Sequence, residues 1–140
     1  MRRELFIFVV AMILIAASVA FAYMFLSGPA AVRIVSVSTD KDVYHSRDTM
    51  KITVSFESDG EIGNATLHLR GIEDRHGDAQ LHKSIPIHFP KGMHTEVYNH
   101  TLPACSSCSG LNAGNYTINA TLVQDGVQVS SMTHSFRLEQ

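Results

Sequence analysis

The sequence has little positive charge and no catalytic motif. Beyond Leu26, nine Lys and Arg residues stand against twelve Asp and Glu residues. That balance leaves too little positive charge to hold a phosphate backbone, so we expect no nucleic-acid partner. No nucleophile elbow, phosphate-binding loop or HExxH helix occurs. We therefore expect a protein that is not an enzyme and that has no cofactor.

Amphipathic helices are missing from most of the chain. No segment after Leu26 repeats its hydrophobic residues with a period of 3.6. Hydrophobic residues make up 45% of the 140 residues, but they are concentrated at the amino end. The more polar remainder has room for one compact domain with a solvated face.

The amino end carries the one long hydrophobic run. Ser18 is the only interruption between Leu5 and Leu26. A helix of this length rises about 33 Å, which is enough to cross a hydrocarbon core of about 30 Å. Because Arg2 and Arg3 precede the run, we expect a cytoplasmic start (1–4), a transmembrane signal anchor (5–26), a linker (27–31) and an extracellular domain (32–140) in the cell membrane. The alternative is a signal peptide cleaved after residues 20–22; it also delivers the domain outside.

Four of the five Asn residues stand in the glycosylation acceptor pattern. Each has Thr two positions later and no Pro between. This excess predicts a glycoprotein exported by an archaeal or eukaryotic route. The predicted acceptors are Asn64, Asn99, Asn115 and Asn119.

The external domain alternates apolar and polar residues in short runs between turns. Residues 50–57 are a clear example, and Asp125-Gly126 is a strong signal for a hairpin turn. The pattern predicts a mainly β fold, a seven-stranded antiparallel immunoglobulin-like sandwich. The expected strands are 32–38, 49–57, 64–71, 80–89, 94–102, 115–123 and 127–138.

Two segments resemble known immunoglobulin-like domains. Residues 39–44 and 48–54 resemble the first hairpin of the domains repeated in archaeal and bacterial surface proteins and in macroglobulin-type domains, although Arg47 stands where those domains usually have Gly. Leu111, Gly114 and Tyr116 resemble a tyrosine corner, which implies a bond from the Tyr116 hydroxyl to upstream backbone. An ordinary inward-facing aromatic is the alternative for Tyr116. The resemblance implies an architecture and an external setting, and it carries no catalytic residue.

Cys105 and Cys108 are the only cysteines. In an oxidising compartment we expect them to form a local disulfide. Haem attachment is excluded because Ser109 stands where His is required. A thioredoxin-like role and a zinc half-site are weaker alternatives.

Histidine is unusually frequent, with eight residues. The alternative to a binding module is therefore an extracytoplasmic copper or zinc site, in which His88 and His94 approach across a hairpin and Met93 or the cysteines add soft ligands. The bland interpretation places these histidines on an outward, solvated face. The four candidate ligands recur every six residues, at His82, His88, His94 and His100.

Glu73, Asp74 and Asp78 form a second candidate cation site. Three carboxylates fall short of the six to eight oxygen ligands that calcium prefers, so a solvated loop is the favoured interpretation.

The sequence thus predicts a single-pass membrane protein whose external domain has a binding or structural role. It would be a cell-surface module or an accessory subunit of a membrane assembly, in contact with the lipid bilayer and with other membrane or envelope proteins. An exposed edge strand would permit a homo- or hetero-oligomer. A pilin-like filament subunit is a further alternative, although no Gly or Ala processing site precedes the run.

Overall fold

A computed structural model describes residues 12–18, 30–104 and 110–139 of the chain. Residues 12–18 form a short helix. The remaining described residues form two packed β-sheets. Their strands are β1 (Val32–Thr39), β2 (Val43–His45), β3 (Thr49–Ser58), β4 (Ile62–Glu73), β5 (Ala79–Phe89), β6 (Gly92–Thr101), β7 (Gly114–Gln124) and β8 (Val127–Glu139).

The core follows from the two-residue alternation of the strands. In β3, every second residue from Met50 to Phe56 is at most 1% exposed. β4 and β7 contribute Leu67, Leu69 and Ile118 to the same hydrophobic cluster. Burying each such side chain stabilises the fold by about 1.5–3 kcal/mol, so this single cluster between the sheets holds the domain together.

The strand order is that of an immunoglobulin-like sandwich. One sheet has the order β1-β3-β6, and the other has the order β2-β8-β7-β4-β5. β3 and β6 therefore occupy the positions of the B and E strands, while β4, β7 and β8 occupy those of C, F and G. The immunoglobulin-like β fold predicted from the sequence is confirmed.

The chain changes sheets between β1 and β2. Tyr44 is fully buried, and its hydroxyl donates a hydrogen bond of 2.6 Å to Oδ1 of Asp40. The same oxygen accepts the backbone N–H of Lys51 at 2.7 Å. The carboxylate thereby ties the sheet crossover to both β2 and β3.

The two sides of the sandwich differ. On one side, the backbone N–H of Ile34 in β1 donates to Oγ of Ser130 in β8 at 3.0 Å, which joins the two sheets. On the other side, β5 and β6 are the free edges of different sheets. We call the region between them the β5/β6 edge; it carries half-buried polar side chains on the inner face of β6.

The predicted strand plan needs two corrections. The described residues form eight strands instead of seven, because β2 was missed: three residues are too few to display a two-residue period. The sandwich is also not antiparallel throughout, since β2 pairs with β8 in parallel. The seven predicted strands all exist, with ends that differ by at most two residues.

The predicted transmembrane segment lies mostly outside the described residues. Within the described ranges, no helix is long and apolar enough to span a bilayer. The large apolar side chains of residues 12–15 are 62–68% exposed, and none belongs to the core of the sandwich.

Candidate functional site

The outer face of the five-stranded sheet gathers polar side chains from three strands. Antiparallel pairing sets Arg70 of β4 opposite His82 of β5 and opposite Asn119 of β7. Two residues earlier in β4, His68 lies opposite Ser84 of β5 and Thr121 of β7. We call the group His68, Arg70, His82 and Ser84 the β4–β5 outer face.

Arg70 is the only side chain of this group with a permanent charge. It is exposed and makes no hydrogen bond or ion pair with any described residue. Its cross-strand neighbours, His82 and Asn119, are not acidic. The acidic residue Glu73 lies three positions later in the chain, at the end of β4. A guanidinium in this setting is free to bind an external anion.

His68 and Ser84 form the one hydroxyl–imidazole pair on this face. Nδ1 of His68 lies 2.8 Å from Oγ of Ser84. That distance suits proton transfer between a nucleophile and a base. Among the described residues, however, no carboxylate is bonded to His68, so the orienting third member of a catalytic triad is missing. The pair is a cross-strand contact that fixes the position of both side chains.

The β5/β6 edge carries a second polar cluster. The ring of His94 stacks on that of Phe89 with centroids 4.6 Å apart, and its Nε2 lies 2.8 Å from Oε1 of Glu96. Farther along β6, Nε2 of His100 is buried without a hydrogen-bond partner among the described residues. Burial lowers the pKa of His100 because the charged imidazolium loses its hydration. Inward polar groups of this kind discourage pairing with another strand edge.

The four predicted histidine ligands are not brought together. His82 and His88 lie on the outer face of β5, and both are exposed. His94 and His100 lie on the inner face of β6, so their predicted outward orientation is wrong. β5 and β6 belong to different sheets and do not pair, which removes the predicted approach of His88 and His94 across a hairpin.

Within the described part of the chain, no group of three or more His, Cys, Asp or Glu residues could hold a metal ion. Cys105 and Cys108, and with them the predicted disulfide, lie outside the described residues.

The loop after β4 is organised by Asp74. Its Oδ1 accepts the backbone N–H groups of His76 and Asp78 at 2.8 and 3.1 Å, and its Oδ2 accepts the side-chain amide of Gln80 at 2.9 Å. Burial raises the pKa of Asp74, but these three hydrogen bonds outweigh it and the net shift is downward. Both oxygens of this carboxylate therefore stabilise the loop through hydrogen bonds to its own residues.

The four predicted glycan acceptors all lie at exposed positions. Asn64 is at the start of β4, and Asn115 and Asn119 lie on the outer face of β7. Asn99 lies on the outer face of β6, in the other sheet. An attached sugar would meet no core side chain at any of these positions.

Tyr116 stands at the start of β7. Its hydroxyl donates to the backbone carbonyl of Asn112 at 2.7 Å and accepts the N–H of the same residue at 3.1 Å. This is the bond that the tyrosine-corner resemblance implied, and it holds the turn into β7.

An open cleft of about 480 Å³ lies at the end of the three-stranded sheet where β1 begins. Arg33 and Glu57 line it and bond to each other, with Nε of Arg33 2.9 Å from the carboxylate. Lys91, Gly92 and Met93 form its other wall. The charges of the cleft are thus partly neutralised within the protein.

Sequence reasoning did not single out Arg70 and His68 as site residues. Their outward position could be read from the alternation with Leu67 and Leu69. Their proximity to His82 and Ser84 depends on the pairing of β4 with β5, and a two-residue alternation does not specify that pairing or its register.

No family model matches the chain, and no curated protein matches it either. Several solved structures are similar in fold. A cycloisomaltooligosaccharide glucanotransferase from Paenibacillus sp. matches with a TM-score of 0.61 and 19% identity over 80% of this chain and 15% of that one. The alkylpurine DNA glycosylase AlkC from Pseudomonas fluorescens matches with a TM-score of 0.56 and 10% identity over 78% and 30% of the two chains.

The C-terminal domain of Wzt matches with a TM-score of 0.53 and 9% identity, over 81% of this chain and 76% of that one. These likenesses show the fold alone. The chain spans less than a third of the glucanotransferase and glycosylase chains, so their activities do not transfer to it. The topology and these neighbours indicate a β-sandwich of immunoglobulin-like fold.

Proposed function

We propose that this protein is a membrane-anchored, N-glycosylated, extracytoplasmic immunoglobulin-like module with a binding or structural role. The observation that carries the proposal is the exposure of all four acceptor residues, Asn64, Asn99, Asn115 and Asn119. These residues are exposed because each lies on an outer face; on the inner face of its strand, each would have been buried or half-buried. An external location accounts for both the acceptor patterns and their orientation.

The proposed anchor is the run from Leu5 to Leu26. In the part of this run that the structure describes, four consecutive large apolar side chains, residues 12–15, are exposed to 62–68% and take no part in the sandwich core. Such side chains need an apolar environment, and a bilayer supplies it. The partners proposed for the external domain are other membrane or envelope proteins.

The test of glycosylation is the mass of the protein isolated from its native cells. We expect a mass above 15.4 kDa, and a stepwise decrease when each acceptor Asn is replaced singly by Gln. Asn112→Gln is the matched control, because Asn112 has no Thr or Ser two positions later. An unmodified native mass would contradict this part of the proposal.

The test of anchoring is extraction of native membranes at alkaline pH. We expect the protein to stay in the membrane pellet, and the domain to be digested by protease added to intact cells. Leu14→Arg places a charge at the middle of the run and should release the protein from the pellet. Recovery of the unaltered protein in the soluble fraction would overturn the anchor, and a mature amino terminus after residue 22 would identify a cleaved signal peptide instead.

A further inference from the structure

We propose that the β4–β5 outer face binds an acidic polysaccharide, with the guanidinium of Arg70 holding the carboxylate of a uronic-acid sugar. This inference rests on the proposed extracytoplasmic binding role, and it gives that role a site and a class of ligand. It requires neither the anchor nor the glycans.

Charge complementarity carries the first step. Arg70 is exposed, has no described hydrogen-bond or ion-pair partner, and is flanked across the sheet by His82 and Asn119. By contrast, Arg33 is bonded to Glu57, and Arg137 lies 3.3 Å from Glu139. An unpaired guanidinium offers two parallel N–H groups to a carboxylate, which is a geometry that few other side chains provide.

The neighbours of Arg70 suit a sugar better than a protein surface. Ser84 and Thr121 present short hydroxyl groups that both donate and accept hydrogen bonds, as sugar hydroxyls require. Among the described residues, none of the exposed large hydrophobic side chains belongs to β4, β5 or β7. Protein interfaces depend on large anchors such as Trp and Tyr seated in apolar pockets, and the described residues of this face supply no such anchor.

The proposed glycan on Asn119 does not occupy the same half of the sheet. Oδ1 of Asn119 accepts a hydrogen bond of 2.9 Å from Oγ of Ser131, which lies on β8. The side chain of Asn119 is therefore directed toward β8, away from Arg70 on β4. A sugar attached there would leave the β4–β5 half of the face open.

The experiment uses the full chain, produced in a host without N-glycosylation and kept in detergent micelles. The probe is immobilised polygalacturonate at low ionic strength, with neutral dextran and poly-glutamate as reference surfaces. We expect binding to polygalacturonate, no binding to dextran and weaker binding to poly-glutamate. Arg70→Gln should weaken polygalacturonate binding by about tenfold or more, because it removes a charge-assisted hydrogen-bonding pair.

Arg47→Gln is the matched control. Arg47 is also exposed, but it lies in the turn between β2 and β3, and its loss should leave the affinity unchanged. Arg70→Lys keeps the charge and should still weaken binding, because the bidentate geometry is lost. Thermal unfolding of each variant verifies that the fold is retained.

Several outcomes would overturn the inference. Equal losses of polygalacturonate affinity in Arg70→Gln and Arg47→Gln would show that binding depends only on the net charge of the protein. Equal binding to poly-glutamate would show that the sugar is not recognised, and absence of binding to polygalacturonate would remove the site. None of these results bears on glycosylation or anchoring, which are tested separately on the native protein.

Discussion

Arg47 occupies a backbone conformation that L residues rarely adopt. Its φ is 68°, in the left-handed region, within the turn that joins β2 to β3. The immunoglobulin-like domains that this segment resembles usually have Gly before the Asp of this turn. The positive φ accounts for that Gly, because Gly lacks the Cβ that makes this region unfavourable. The same turn is held by Oδ2 of Asp48, which accepts the N–H of His45 at 3.1 Å.

We predict that Arg47→Gly stabilises the domain by about 0.5–1 kcal/mol. Relief of the left-handed conformation is worth about 1–2 kcal/mol, and the greater freedom of Gly in the unfolded chain offsets part of it. Urea denaturation measures the difference. Arg33→Gly, in β1, is the control and should destabilise; a loss of stability in Arg47→Gly as well would contradict the explanation.

Tyr44 joins the sheet crossover to the core. Its ring packs edge-on against Phe136, with centroids 5.6 Å apart, while its hydroxyl bonds to Asp40 and accepts the N–H of Lys41 at 3.0 Å. Burial, together with the bond to Asp40, raises the pKa of Tyr44 to about 12 from its ordinary value of 10.0. Neutral Tyr44 is therefore part of what stabilises the fold.

We predict that Tyr44→Phe lowers the free energy of unfolding by about 1.5–3 kcal/mol, because the lost bond is made to a charged group. Tyr116→Phe removes a bond to a neutral carbonyl and should cost about 1 kcal/mol. Both are measured by denaturant unfolding at neutral pH. Equal effects would show that the charge of Asp40 contributes nothing.

From the raised pKa of Tyr44, we predict that the domain loses stability at alkaline pH. Since the folded-state pKa of Tyr44 is raised, its contribution is complete below the ordinary value of 10.0 and is lost as pH rises toward about 12. Tyr44→Phe should remove that part of the alkaline decline. Denaturant unfolding of both proteins across this window is the measurement, and identical declines would contradict it.

At the scale of elements, the choice of residue at position 71 of β4 is constrained by the pairing of β4 with β7. A Cβ at Gly71 would overlap the backbone carbonyl oxygen of Thr117, so only Gly fits there. The next residue, Ile72, is 1% exposed and has a φ of 58°, an uncommon conformation for a β-branched side chain. The close approach of the two strands, rather than a turn, dictates this glycine.

We predict that Gly71→Ala destabilises the domain by about 1–3 kcal/mol, since the added methyl group forces backbone apart in a packed sheet. Gly114→Ala is the matched control, because a Cβ there meets nothing within 4 Å, and it should change stability by no more than about 0.5 kcal/mol. Thermal unfolding compares the two. Similar melting temperatures for both variants would show that β4 and β7 can separate without cost.

The hairpin turn between β7 and β8 could be predicted from the sequence, whereas β2 could not. Asp125 and Gly126 have φ values of 50° and 80°, and Gln124 pairs with Val127 across them. The hairpin turn predicted from this dipeptide is therefore confirmed, because few residue pairs other than Asp-Gly and Asn-Gly tolerate two successive left-handed conformations. β2 was not readable, since its pairing with β8 is set by the distant end of the chain.

At the scale of the whole molecule, three carboxylates make the free energy of unfolding depend on pH in the acid range. Hydrogen bonds from Tyr44 and Lys51 lower the pKa of Asp40, and the backbone N–H of His45 lowers that of Asp48. For Asp74, burial acts in the opposite direction, but its hydrogen bonds prevail. Each residue therefore contributes stability above its ordinary pKa of 3.8, and that contribution is lost as pH falls through the lower folded-state value.

We predict that the free energy of unfolding decreases as pH falls below about 4, and that Asp40→Asn makes the decrease shallower. Glu73→Gln is the control, because no described group forms a hydrogen bond to the side-chain carboxylate of Glu73. Denaturant unfolding at a series of acidic pH values is the measurement. An unchanged slope in Asp40→Asn would contradict the assigned linkage.

In β3, β4 and β7, the sequence alone determined which residues face the core and which face solvent, whereas the inward orientation of His94 and His100 in β6 was not predicted. Alternation along a strand assigns each side chain to one of two faces, so the burial of Ile52, Leu67 and Ile118 and the exposure of Asn115 and Asn119 could be read without a structure. Only the tertiary structure decided which strands are neighbours. β5 and β6 are consecutive in the chain, yet they belong to different sheets, so His88 and His94 do not meet as predicted, whereas Arg70 lies beside His82 and Asn119. The physical reason is that a two-residue period specifies the faces of a strand but not its partner, and partners are selected by long-range packing of the two sheets around one core.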